Sequence, residues 1–476
     1  MMRDLLLLLY SEENIMNLEQ DLTTGNITKQ LIRFGIPLFL ANLLQSFYSI
    51  VDMLVVGNVV GSTGLAAISN ASMISFIINS ICTGVTIGGT VLAARCKGAG
   101  DRVGQRETIG TLFSLSAAAA VLVSLTGLAG YPTVFRLLGV PEAAMKDACD
   151  YMFIICCGTI CVFGYNAVCA VMRGMGDSRS PLYFVLVATV VNIILDILLV
   201  GVWGMGTKGA ACATVFSQGV SFAVSVVHLR RQDFVFEFRR RSFAVKWDRL
   251  VSILSVGLPS AVQMVVVNLS YLLITGMFNA HGMEVAAAVG IGLKVNTFAG
   301  MPCWAVGQAV TAMTGQNMGA GKTGRVRETV RTGLALNLAV TLCAVLAVQV
   351  SAVRIISLFA PSDQAVAQYG VLYLRICCCA NSLVYAAMYT YDSFATGVGA
   401  ACVAMVNSLL DSVVVRLAFS WLLGSLMGLG FTGICLGQAL SPLLPALAGA
   451  WYFRRGRWEK KMGEAKEGQG KNRQQI

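Results

Sequence analysis

Charge is scarce in this chain. Only 12% of its 476 residues are charged, while 56% are hydrophobic and the mean hydropathy is +0.71. A soluble domain carries about twice that charged fraction, so a soluble globular protein is excluded. Histidine is almost missing, with only His228 and His281. The 15 cysteines include no CxxC pair and mostly stand in apolar runs, as in Cys156-Cys157 and Cys377-Cys378-Cys379. They read as small buried apolar side chains rather than as metal ligands or disulfides. The ten-residue alternation of an outer-membrane barrel is lacking, and an open sheet cannot satisfy its backbone in lipid. No nucleophile–base pair or metal set is visible, so an enzyme is not expected and no cofactor is called for.

What remains is a series of long apolar runs. A bilayer-spanning helix needs about 20 mostly apolar residues. Twelve such segments can be drawn: Leu31–Gly57, Leu65–Ala94, Thr108–Gly130, Met145–Met172, Leu182–Val202, Gly209–His228, Leu250–Phe278, Val285–Met313, Thr329–Val350, Val366–Phe394, Ala401–Gly424 and Gly430–Phe453. The fold class expected is an all-α membrane protein of twelve transmembrane helices. A five-residue apolar run, Leu5–Leu9, is too short to span, and Met16 offers an alternative start. The segment after Trp458 is charged and rich in Gly and Gln, the composition of a disordered tail.

The net charge of +11 is placed in particular loops. Arg95, Lys97, Arg102 and Arg106 precede segment 3. Arg230, Arg231, Arg239, Arg240, Arg241, Lys246 and Arg249 surround the central loop, and Lys322, Arg325, Arg327 and Arg331 stand before or at the start of segment 9. The tail opens with Arg454, Arg455 and Arg457, whereas the loops on the opposite side hold only Arg136, Lys146, Lys208 and Arg354. This is the positive-inside pattern. It predicts cytoplasmic termini in a bacterial inner membrane, and it accounts for the charge without nucleic acid.

The segments form two copies of one unit. Phe34-Gly35-Ile36-Pro37 matches Val256-Gly257-Leu258-Pro259. Gly98-Ala99-Gly100 with Arg106-Glu107-Thr108 matches Gly319-Ala320-Gly321 with Arg327-Glu328-Thr329. Val191-Asn192 with Leu195-Asp196 matches Val406-Asn407 with Leu410-Asp411, and Gly204, Gly206 and Gly209 match Gly428, Gly430 and Gly433. Each half has an even helix count, so the copies are parallel repeats about a pseudo-two-fold axis along the membrane normal. The expected divisions are an extension at 1–28, an N-lobe at 29–228, a linker at 229–249, a C-lobe at 250–453 and a tail at 454–476. The repeat also removes two false motifs. Gly319-Ala320-Gly321-Lys322-Thr323 resembles a phosphate loop but has Gln316 where glycine is required. The two GxGxxG strings follow no strand and read as tight turns.

Carboxylates inside the bilayer are the strongest functional signal, because a charge there costs about 2.5–3.5 kcal/mol. Asp52 ends a polar stripe of Asn42, Gln45, Tyr48 and Ser49 on segment 1. Asn192 and Asp196 share one face of segment 5 at i,i+4. Segment 4 carries Asn166 and segment 6 carries Thr214. Two carboxylates with amide and hydroxyl oxygens suit Na⁺, and the same oxygens suit a proton; a structural hydrogen-bond network is the alternative. In the second half the position of Asp52 falls on Leu273 or Ile274, and Asp411 has Arg416 as a partner for a structural pair. Ion coupling is therefore expected in the N-lobe. Gln263, Asn268, Tyr271, Asn296, Asn381, Tyr385 and Met388, with Gln45, Tyr48 and Asn79, are candidates for a substrate cavity.

These strings resemble the MATE family of multidrug and toxic compound extruders. The resemblance rests on Gly35-Ile36-Pro37, Val51-Asp52 with Gly57, Gly64-Leu65-Ala66-Ala67-Ile68, Arg173-Gly174-Met175-Gly176-Asp177 and Asn192 with Leu195-Asp196. It covers residues 22–458. It implies two six-helix lobes forming a V around a central cavity, and export of amphipathic, often cationic drugs in exchange for H⁺ or Na⁺. It implies a cation or proton site at Asp52, Asn166, Asn192, Asp196 and Thr214. One branch of the family uses carboxylates on helices 7 and 10 instead, but none stands near Val267-Asn268 or Tyr385, which places the chain nearer the DinF-like branch. Small drug-like substrates, a lipid bilayer and a monomeric state are the expected partners and form. A lipid-linked glycan flippase of the wider superfamily is the alternative, although it would bring about fourteen helices and a cationic cavity.

Overall fold

The computed structural model describes residues 20–137, 139–231, 234–361 and 363–459. The early apolar run, the alternative start at Met16 and the tail beyond Glu459 lie outside these residues. Helix dominates, and the described residues contain no strand. The helices are α1 (Ile27–Val59), α2 (Ser62–Gly98), α3 (Arg102–Leu137), α4 (Glu142–Met175), α5 (Arg179–Leu195) and α6 (Gly206–Arg231) in the first half. The second half has α7 (Trp247–Asn279), α8 (Met283–Gly319), α9 (Thr323–Phe359), α10a (Gln364–Cys377), α10b (Ala380–Gly397), α11 (Ala401–Leu409), α12a (Gly430–Leu440) and α12b (Leu443–Arg455). Among the described residues, 11 helices or continuous helical runs are long and apolar enough to cross a membrane, and α10a with α10b makes a twelfth span. Many apolar side chains point outward. Phe47, Phe76, Leu122, Phe216 and Val350 are each more than half exposed, as lipid contact requires.

Two compact units result. The described part of the first comprises residues 20–75, 92–251 and 315–320; that of the second comprises 76–91, 252–314 and 321–459. In the first unit α4 packs against α3 and α6, and α5 lies between α6 and α1. In the second, α10b packs against α9, α11 and α12b.

Helix starts and stops follow local chemistry. The Asn26 side chain accepts a hydrogen bond from Lys29 N at 2.9 Å and caps α1. The GxGxxG turns appear twice with the same backbone: Gly204 and Gly206 have φ of 62° and 60°, and Gly428 and Gly430 have 71° and 53°. Only glycine adopts such values freely, which explains the repeated motif. Gln316, the residue that breaks the phosphate-loop pattern, acts as a tie. Its Oε1 accepts from Leu22 N at 3.1 Å and its Nε2 donates to Gly174 O at 3.0 Å, while Asn317 Nδ2 donates to Leu22 O.

Two features depart from the sequence expectation. Segment 10 is not continuous: α10a and α10b meet at a 43° bend. The break falls at Cys378-Cys379, within the cysteine run. Gln349 Nε2, from α9, donates to the carbonyl of Cys378 at 3.2 Å and, at 2.9 Å, to that of Leu374, which also accepts from Cys378 N at 3.0 Å. A break in lipid persists only where neighbours satisfy the backbone in this way. The stretch between α6 and α7 is also shorter than 229–249, because α6 runs to Arg231 and α7 begins at Trp247. It packs firmly on α3. Phe236, Phe238 and Phe243 surround Phe113 at centroid distances of 5.6, 6.4 and 6.3 Å, Ser114 Oγ donates to Phe243 O, and Arg249 pairs with Asp101 and Glu107.

Candidate functional site

Helix α5 does not end at Leu195. It continues as a π-helical turn, Asp196–Val202. A π segment widens the helix, closes its hydrogen bonds at i→i+5 and frequently marks a functional position. Asp196 is the first residue of that turn. α1 packs along both α5 and the π segment, which brings Asp52 to the same region.

Asp52 is 8% exposed, and Asn192 and Asp196 are each 1% exposed. Asp52 Oδ1, both carboxylate oxygens of Asp196 and both amide atoms of Asn192 have no hydrogen-bond partner. Asp52 lies close enough for its charge to act on Asp196, and Tyr48 and Tyr151 lie within electrostatic reach of both acids. Buried polar groups are normally satisfied, and an isolated buried carboxylate is costly. Four unpaired oxygens, Asp52 Oδ1, Asn192 Oδ1 and the two of Asp196, fit a small hard cation or a proton. Among the described residues no group of three or more His, Cys, Asp or Glu could hold a metal ion. A pair of carboxylates with an amide suits a weakly held, exchangeable ion better than a resident metal.

Three of the five expected ion-site residues, Asp52, Asn192 and Asp196, are therefore buried in one unit with unsatisfied polar atoms. The other two stand on neighbouring helices with different partners. Asn166 Nδ2 donates to Val162 O of its own helix at 2.8 Å. Thr214 is half-buried on α6, and its carbonyl accepts from Ser217 Oγ. Tyr48, read as cavity wall, is half-buried within reach of both acids. Tyr151 was missed by sequence reasoning. It is an almost fully buried phenol on α4, and its place on an apolar helix next to Asp150 gives little local signal.

The remaining cavity candidates occupy varied positions. Gln45 and Asn79 are exposed. Gln263 Nε2 donates to Ser408 Oγ at 2.8 Å, and Asn268 Nδ2 donates to Ser80 Oγ at 3.3 Å. Asn381 Nδ2 donates to Gln438 O at 2.7 Å, and Asn296 Oδ1 accepts from Cys378 Sγ. Tyr385 stacks on Tyr389 with centroids 5.9 Å apart, Tyr271 lies under the Arg416 guanidinium, and Met388 is buried.

The second unit holds its own acidic cluster. Asp411 pairs with Arg416, both almost fully buried. Asp392 on α10b, two helical turns beyond Tyr385, is 3% exposed and accepts from Asn407 Nδ2 at 2.8 Å. Sequence reasoning noted no carboxylate near Tyr385 and passed over this one. Of the two positions matching Asp52, Ile274 is buried in a core cluster with Phe278 and Tyr373, and Leu273 is exposed.

The MatE family model matches the chain twice, over residues 37–198 and 259–422, once in each half. A probable multidrug resistance protein of Bacillus subtilis, YpnP, is 30% identical over 440 residues, 92% of this chain and 97% of the relative. The probable multidrug resistance protein NorM of Thermotoga maritima is 24% identical over 443 residues, 91% of this chain and 94% of the relative. A solved outward-facing multidrug resistance MATE transporter superposes with a TM-score of 0.86 at 21% identity, covering 92% of this chain and 98% of that one, which shows a shared fold. The chain is a multi-pass membrane protein and belongs to the MatE family of transporters.

Proposed function

We propose that the protein is a secondary active multidrug efflux antiporter that exports amphipathic, mostly cationic compounds in exchange for H⁺ or Na⁺. It works in the bacterial inner membrane with both termini in the cytoplasm. The observation that carries the exchange is the pair Asp52 and Asp196, two buried acids of one unit with three unpaired oxygens between them. Neither has a cation as partner. The transported ion is the group that would satisfy them, held by Asp52, Asn192 and Asp196, with Tyr48 and Tyr151 beside it.

The π turn supplies the element that can respond. A π turn is a local widening that frequently marks a functional position, so a return to the α register is the second state that the ion would select. Ion binding at Asp196 favours one register and release favours the other, and a ligand shifts such an equilibrium by its differential affinity. Drug and ion then compete, directly or through the helix, and rocking of the repeats exposes the substrate to the other side. The basic loops before α3, α7 and α9 support the orientation. The names of the relatives support the substrate class.

The test is dye export from proteoliposomes under a pH gradient or a Na⁺ gradient imposed separately. Export driven by either gradient and lost in Asp52→Asn and Asp196→Asn supports the reading. Export that ignores both gradients contradicts it. Absence of dye transport, with lipid-linked glycan moved instead, favours a flippase.

A further inference from the structure

Helix α11 repeats the device of α5. It too becomes π-helical, over Leu410–Leu417, and Asp411 stands at the start of that turn as Asp196 does in the first half. The asparagine four residues earlier is present in both, Asn192 and Asn407. The two sites differ in what faces the aspartate. In a π turn the residue five positions on stacks above the first. For Asp411 that residue is Arg416, whose Nη2 pairs with Asp411 Oδ2. The register that aligns Asn407 and Asp411 with Asn192 and Asp196 places Gly201 under Arg416. The first half has no side chain there, and its aspartate has no partner.

The cluster around Arg416 is built but incompletely satisfied. Arg416 is 2% exposed, its Nε and Nη1 are unpaired, and its guanidinium carbon lies 4.3 Å from the centre of the Tyr271 ring. Asp411 Oδ1, Ser412 Oγ and Asp392 Oδ2 are also buried without partners. The titratable groups facing the pair are Asp392, Tyr271, Tyr373 and Tyr385. Without the guanidinium, this set of oxygens would have the character of the first-half site: two carboxylates and an asparagine amide.

We propose that Asp392, Asn407 and Asp411 form a second, latent cation site in which the tethered guanidinium of Arg416 holds the place of an exchangeable ion. The transporter thus carries one mobile cation and one fixed one. Arg416 sets the number of coupling ions by keeping the second site closed to them. This inference rests on the reading of Asp52 and Asp196 as the mobile-ion site.

The test uses the purified full chain and two probes, ²²Na⁺ binding and proton uptake after an acid pulse. In a D52N/D196N background the chain binds no exchangeable cation. Adding Arg416→Gln restores about one equivalent of Na⁺ or H⁺ per chain, and Asp411→Asn removes it again. A folded, monodisperse Arg416→Gln protein that gains neither ion overturns the inference. Binding that persists in D52N/D196N before Arg416 is changed, and that Asp411→Asn does not touch, refutes the first-half reading; the gain on Arg416→Gln still decides this one. Should Arg416→Gln fail to fold, the reciprocal variant decides. A Cβ at Gly201 meets no atom within 4 Å. Gly201→Arg in the native chain is expected to fold and to lose its exchangeable cation and gradient-driven export, while Gly201→Gln keeps both. A Gly201→Arg protein that binds and transports normally overturns the proposal.

Discussion

Gly98 at the end of α2 lies directly against the backbone carbonyl of Gln316 in α8, so close that a Cβ on Gly98 would overlap it. Its repeat partner Gly319 bears the same relation to the carbonyl of Arg95. The two contacts are images of each other under the internal repeat, with the same shift of 221 residues for both pairs.

That crossing tolerates no side chain, because the opposing atoms are backbone and cannot swing away. Gly98→Ala and Gly319→Ala should each destabilise the protein by about 1–3 kcal/mol, the usual cost of overpacking. Gly276→Ala, where an added Cβ meets nothing within 4 Å, should be neutral or slightly stabilising. Thermal unfolding of the detergent-solubilised protein, followed by tryptophan fluorescence, distinguishes these outcomes.

Gln349 holds the break in segment 10 by donating to Leu374 O and Cys378 O. Gln349→Leu keeps the bulk and removes the donor to Cys378 O, while Leu374 O keeps the backbone N–H of Cys378. A loss of about 1–3 kcal/mol is expected for an unsatisfied buried group. Gln349→Glu, which retains shape but brings no N–H, should fall at least as far. Melting temperatures of the two variants check this, and an unchanged value for Gln349→Leu would show that the Cys378 carbonyl finds another donor.

Gln316 ties Leu22 to Gly174 through one amide. Gln316→Leu should free the segment before α1, seen as faster amide hydrogen exchange at residues 20–24 with little change in the helices. Equal exchange in both proteins would mean that other contacts hold the segment.

The stretch between the halves is anchored by Phe113. Phe113→Ala removes the ring on which Phe236, Phe238 and Phe243 converge, and Phe/Trp to Ala changes in packed sites cost about 3–5 kcal/mol. Since the anchor is local, the expected result is rapid trypsin cleavage at Arg239, Arg240 and Arg241 with the helices intact. Resistance to trypsin would show that the Arg249 ion pairs with Asp101 and Glu107 suffice.

Much of this was legible in the amino-acid order, for reasons that can be named. Long apolar runs define the spans because a lipid-exposed backbone must be helical. The GxGxxG strings announced their turns because positive φ demands glycine. Asp52, Asn192 and Asp196 stood out because carboxylates are rare in apolar helices. What escaped was set through space. Nothing in Cys377-Cys378-Cys379 signals a break, since the donor that permits it is Gln349 on another helix. Asp392 lies two helical turns beyond Tyr385, and its partner Asn407 lies 15 residues away, on another helix. Tyr151 joins the acids only through packing of α4. The π turns at Asp196 and Asp411 leave no periodic mark, because one widened turn is shorter than any window that reads period.

Asp196 and Asp52 are proposed to carry the exchanged ion. The most direct measurement is the ion flux that accompanies dye export in proteoliposomes, compared between the native chain and Asp196→Asn. Export in the native chain should be matched by inward H⁺ or Na⁺ movement, and Asp196→Asn, folded and inserted, should abolish both. Export coupled to ion flux that survives unchanged in Asp196→Asn would contradict it.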